Sequence, residues 1–84
     1  MMLVQVRYFA SIREAIGLDS EAVVTDARTL EALRNELIAR GGHYATSLAR
    51  SRAVRAALQQ VMSEEGAALF DGAEVAFFPP VTGG

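Results

Sequence analysis

The chain of 84 residues carries one clear amphipathic helix pattern, and the segments on either side of it alternate like strands. Leu30, Leu33, Leu37 and Ile38 recur at helical spacing behind Thr29, whose hydroxyl suits an N-cap. Glu31, Arg34, Glu36 and Arg40 are expected on the opposite, solvent side, and Gly41 and Gly42 end the run. A lone helix has one apolar stripe to cover, and in so short a chain the surface available to cover it is a sheet. Folding at this size buries about 60% of the unfolded surface, so a deep cavity walled by this chain alone is not expected. An enclosed active site would have to come from a partner.

The flanking segments supply the sheet. Met2, Val4, Val6 and Tyr8 alternate with Leu3, Gln5, Arg7 and Phe9, the pattern of a half-buried opening strand over residues 2–9. Ser11 and Glu14 have the spacing of a capping box, which predicts a short helical turn to about Ile16, closed by Gly17. Ala22, Val23 and Val24, between Asp19 and Asp26, suit a second short strand returning beside the first. Residues 43–50 leave room for one helical turn that carries Tyr44 and Leu48 inward. Val54 to Met62 reads as a strand, followed by an SEEG turn and an apolar segment around Leu69 at hairpin-like distance. Asp71 and Gly72 make a turn, and Glu74 to Phe78 reads as a final strand, ended by two prolines that cannot donate to a ladder. The expected architecture is α+β: a mixed sheet of four to five strands with one main helix packed across it, the ubiquitin-like β-grasp arrangement. Residues 1–78 form the domain and residues 79–84 an extended tail.

Composition removes several kinds of function. A net charge of −2 and a pI near 5.2 provide no basic surplus for a phosphate backbone, so nucleic acid is not an expected partner. All eight basic residues are arginine, so the chain offers no side-chain amine for a Schiff base or an isopeptide bond. With no cysteine it has neither disulfides nor thiolate ligands. His43, the one histidine, reads as a surface loop residue, and no metal-ligand set surrounds it in the sequence. Glu64 and Glu65 are neighbours that point apart and read as solvated turn charges. Arg50, Arg52 and Arg55 concentrate positive charge, either facing an acidic partner or merely solubilising a loop and strand edge. The opening segment resembles neither a secretory signal nor a membrane span, which makes the cytoplasm the expected compartment.

The last strand and the tail carry the strongest functional signal. Phe77 and Phe78 are consecutive in a strand and must point to opposite faces, so one is expected in the core and the other on the outer side, near a docking surface. Pro79 and Pro80 stiffen the exit, Val81 and Thr82 follow, and Gly83 and Gly84 end the chain. In polyproline-like form, six residues reach roughly 18 Å, enough to enter another protein's active site. Two glycines leave the terminal carbonyl carbon unobstructed inside a narrow channel. A carboxylate at neutral pH is a poor electrophile and needs ATP to become an acyl-adenylate. The chain has no phosphate-binding glycine loop, so a separate adenylating enzyme is expected to use the ATP, with no cofactor bound by the chain itself.

FFPPVTGG at the end, DGAEVAFF before it, VQVRYFASIRE at the start and the TLEALRNEL helix together resemble the ubiquitin-like sulfur carrier family, specifically the small subunits of molybdopterin synthase. The resemblance covers essentially the whole chain. It implies that the Gly84 carboxylate is adenylated by a ubiquitin-activating-like adenylyltransferase and converted by a sulfur donor into a thiocarboxylate, with Gly83 shaping the tail and Phe77 and Phe78 near the partner interface. It also implies that the tail inserts into the large synthase subunit within a heterotetramer, where the sulfur attacks a cyclic pyranopterin phosphate and two sulfurs build the dithiolene. In that reading the chain is the sulfur-donating subunit and is not catalytic alone. Family members often carry Asn where Gln59 stands. A carrier for thiamin, cysteine or tRNA thiolation, or a ubiquitin-like protein modifier, would use the same diglycine end.

Overall fold

The computed structural model describes residues 1–80. The opening alternation becomes β1 (Met2–Tyr8), with Val4, Val6 and Tyr8 buried and Leu3, Gln5 and Arg7 exposed. It pairs antiparallel with β2 (Ser20–Thr25), as the sequence predicts, in a register that sets Met2 opposite Thr25 and Arg7 opposite Ser20. Between them lies α1 (Ala10–Ile16), which ends at Gly17 in the left-handed conformation. The capping box is not formed. Ser11 lies inside the helix; Phe9 is the N-cap, and its carbonyl accepts from the amides of Ile12 and Arg13, each at 3.2 Å.

The main helix is α2 (Leu30–Ala39), and the Thr29 hydroxyl caps it by accepting from the Ala32 amide at 3.1 Å. Leu30, Leu33 and Leu37 enter one hydrophobic cluster with Val4, Val6 and Tyr8 of β1 and with Val75 and Phe77 of the last strand. Arg34 departs from the expected solvent face and is 5% exposed. Its guanidinium donates to the carbonyls of Leu48 and Ala49, both at 2.8 Å, and of Arg52 at 3.3 Å, and pairs with Glu65 at 2.9 Å. That connection also corrects the reading of Glu65 as a free turn charge, because Arg50 holds the same carboxylate at 2.5 Å. Short α3 (Gly42–Ser47) follows and brings Tyr44 and Leu48 against the core, as expected.

The second half of the sheet differs from the single long strand expected over Val54 to Met62. It is a hairpin of β3 (Arg55–Leu58) and β4 (Val61–Ser63), turned at Gln59 and Gln60, both with positive φ (53° and 67°). Leu69 is the buried residue of an otherwise largely exposed loop, joined to the start of α2 by an isolated bridge between Thr29 and Ala68, and forms no strand. The last strand, β5 (Glu74–Phe78), has the predicted bounds. The sheet order is β2-β1-β5-β3-β4, with β1 and β5 parallel and the other pairs antiparallel. This is a five-stranded β-grasp sheet with α2 across its inner face.

Candidate functional site: the root of the tail and the outer sheet face

β5 is a central strand, and its register decides the two phenylalanines. Phe77 lies beside Tyr8 of β1 and Ala56 of β3, on the inward face, and is 1% exposed. Phe78 lies beside Arg55, turned outward and half-buried. Of the two residues expected near a partner, Phe77 therefore belongs to the core, because alternation gives the inward position to only one of them. The Phe9 amide donates to the Phe77 carbonyl at 3.2 Å, which extends the β1–β5 ladder to the strand's exit. Pro79 and Pro80 continue from there, half-buried against the sheet. Val81, Thr82, Gly83 and Gly84 lie outside the described residues.

A broad, open concavity of about 790 Å³ begins at this exit and runs over the outer sheet face. Phe9, Phe78, Pro79 and Pro80 form one end. Ala57 and Ala76 make its floor, and Met62 and Gln60 of the hairpin make the far wall. Among the described residues, two charged side chains line it, Arg7 and Glu74. Small floor residues between larger rims create the depression. The sequence places one of Phe77 and Phe78 on this face without deciding which. The signal for Phe9 was available, as an aromatic on the polar side of an alternating strand. Met62 was hidden because its strand was read as continuous with β3, which obscured which side of the sheet it serves.

Behind the same end of the sheet, a carboxylate ties four elements together. Glu21 of β2 accepts from the hydroxyls of Tyr8 at 2.8 Å and Tyr44 at 2.7 Å, and from Arg40 at 3.0 Å. Partial burial alone would raise the Glu21 carboxyl; the two hydroxyls and the Arg40 guanidinium outweigh it and hold the group below its ordinary value. Burial first, and then the hydrogen bond to Glu21, push the Tyr8 and Tyr44 hydroxyls upward. The Tyr8 and Tyr44 rings meet edge to face at 6.3 Å between centroids. This junction braces the end of β1 from which Phe9 reaches the tail root. No pattern of spacing announced it, since its four residues are scattered from position 8 to position 44.

The other residues singled out in the sequence separate. His43 is exposed on α3, not in a loop, and no group of three or more metal-ligating side chains occurs among the described residues. Arg50 is absorbed by Glu65 and by Asn35, whose amide oxygen accepts at 2.7 Å and 3.1 Å. Arg55 alone of that cluster reaches the outer sheet face, next to Phe78. No helix among the described residues is long and apolar enough to cross a membrane. The arrangement is an open, largely apolar platform that ends where Pro79 and Pro80 leave β5.

Comparison with known proteins gives this platform relatives. Residues 6–84 match the model of the ThiS family. The molybdopterin synthase sulfur carrier subunit of Escherichia coli is 42% identical over 82 residues, covering 98% of this chain and all of that protein. The complex of subunits 1 and 2 of molybdopterin-converting factor from Helicobacter pylori contains a chain 25% identical, with a TM-score of 0.68 over 99% of this chain and 100% of that one. Small archaeal modifier protein 1 of Haloferax volcanii has the same fold, with a TM-score of 0.77 at 20% identity over 96% of this chain and 100% of that one.

Proposed function

The chain belongs to the ThiS family, and on that premise we propose that it is the sulfur carrier subunit of a molybdopterin synthase. The observation that carries this reading is the likeness to a molybdopterin synthase sulfur carrier subunit along that protein's entire length. The groove at the tail root supports it, because a carrier must be held by its body while its end reaches into a partner.

The chemistry belongs to the Gly84 carboxylate. In an adenylyltransferase its oxygen attacks the α-phosphate of ATP, pyrophosphate leaves, and the carboxyl becomes an acyl-adenylate. Hydrosulfide supplied by the donor then displaces AMP and leaves a thiocarboxylate, whose sulfur is the nucleophile toward a cyclic pyranopterin phosphate in the large subunit. The contribution of the folded part is positional: Phe9, Met62 and Phe78 offer apolar anchors, and the two prolines stiffen the exit from β5. The large subunit is the partner that the groove is proposed to meet.

Intact mass spectrometry after incubation with ATP, an adenylating enzyme and a sulfur source tests the reading. The expected result is a mass gain equal to replacing one oxygen by sulfur, mapped to Gly84, and consumed again when large subunit and pyranopterin substrate are added. No gain with a demonstrably active adenylating enzyme would overturn it.

A further inference from the structure

We propose that Arg7 and Arg55, which straddle Phe78 on the outer sheet face, select a large subunit that presents carboxylates around its pocket for that phenylalanine. This rests on the docking of the large subunit at the groove. Arg7 on β1 lies beside Ala76, and Arg55 on β3 lies beside Phe78, with β5 between them. Two strand spacings and a two-residue offset place their Cα atoms roughly 12 Å apart, one on each side of the exit strand.

Both are exposed, and among the described residues neither takes part in an ion pair, whereas Arg13, Arg34, Arg40 and Arg50 all do. Arg7 instead lies over the Phe9 ring, its guanidinium carbon 5.5 Å from the centroid, which holds the cation at the groove wall. Glu74, the one carboxylate side chain among the described lining residues, is two residues along β5 from Ala76 on the same face, beside Gln5 and diagonal to Arg7, with Gln60 approaching it at 3.5 Å. The chain as a whole is acidic, at −2, so two arginines outside any ion pair on one side of the sheet run against its overall charge.

A partner that covers Phe78 must also cover these guanidiniums or bring charge to them. Desolvating an arginine without a counter-charge is costly, and a carboxylate placed opposite turns that cost into a charge-assisted hydrogen bond. Arginine's forked donors match the two oxygens of a carboxylate, the anionic acceptor that a protein surface offers. Apolar anchors would then supply adhesion, and the arginines would supply register and discrimination between partners.

The test is the affinity of the full chain for the purified large subunit at low and high ionic strength, with Arg7→Glu, Arg55→Glu and Phe78→Ala variants whose thermal melts match the parent. Each charge reversal is expected to weaken binding about tenfold or more at low salt, with the difference shrinking at high salt as screening removes the attraction. Reversals that bind like the parent while Phe78→Ala binds weakly would overturn the role of the arginines and leave the docking face standing. If Phe78→Ala also binds like the parent, the docking reading falls with it. Weakening that ignores salt would also overturn the proposal, as would reversals that slow thiocarboxylation but leave large-subunit binding intact; the latter result would assign the pair to the adenylating enzyme.

Discussion

Arg34 shows how one side chain can stand in for a piece of core. It is buried on the helix face between Leu33 and Leu37, and its donors satisfy carbonyls at the end of α3 and in the loop that leads to β3. Replacing it by Ala removes those bonds together with the packed stem, so the expected loss is about 2–4 kcal/mol, read as a lower urea midpoint at unchanged slope. Arg34→Lys should recover little of it, since an ammonium cannot span three separate carbonyls and Glu65 at once. Helical periodicity sorted this residue with the solvent face because periodicity assigns every charge outward. The carbonyls that need it belong to a segment 14 or more positions away, beyond the reach of any local pattern. The phenylalanines were more readable: that Phe77 and Phe78 divide between the two faces follows from the pleat, but which faces in depends on the pairing of Phe77 with Tyr8.

Among the elements, strands with clean alternation or sharp punctuation were legible. β1, β2 and β5 occupy their expected places because apolar alternation, Gly17 and the Pro79–Pro80 stop mark them. The β3–β4 hairpin was not visible, since its turn consists of two glutamines instead of the Asn-Gly or Asp-Gly pair that favours positive φ. Two L-residues with side chains in the left-handed region each cost about 1 kcal/mol, which the flanking ladder must offset. Part of that support is the Gln59 side chain, whose oxygen accepts from the Glu74 amide at 2.6 Å and ties the turn to β5. Gln60 makes only a long contact to Glu74, at 3.5 Å. Gln60→Gly should therefore stabilise the protein by about 0.5–1 kcal/mol, seen as a higher thermal midpoint, because it relieves the strain and leaves the Gln59 tie intact. At Gln59 φ is 53°, a conformation that Asn tolerates better than Gln.

For the whole molecule, the Glu21 junction sets the response to pH, because it joins β1, β2, α3 and the residue that closes α2. Glu21 and Glu65 are both held below their ordinary value in the fold, so near pH 4.5 the unfolded chain binds more protons than the folded one. The stabilisation they contribute is complete above about pH 4.5 and is lost as pH falls through their lowered folded values. Tyr8 and Tyr44 are raised, so their contribution is present below about pH 10 and lost as pH rises past it. Urea midpoints measured across this range should form a plateau with two falling limbs, and Glu21→Gln should lower the plateau and flatten the acid limb. The hydrophobic cluster and the junction are built from the described residues, 1–80. Deleting Gly83 and Gly84 is accordingly expected to change stability by less than about 0.5 kcal/mol, while acceptance of sulfur is abolished. A thermal melt and an intact-mass assay on the same truncated sample check both halves. An early melt would make the tail part of the fold, and retained thiocarboxylation would move the chemistry away from Gly84.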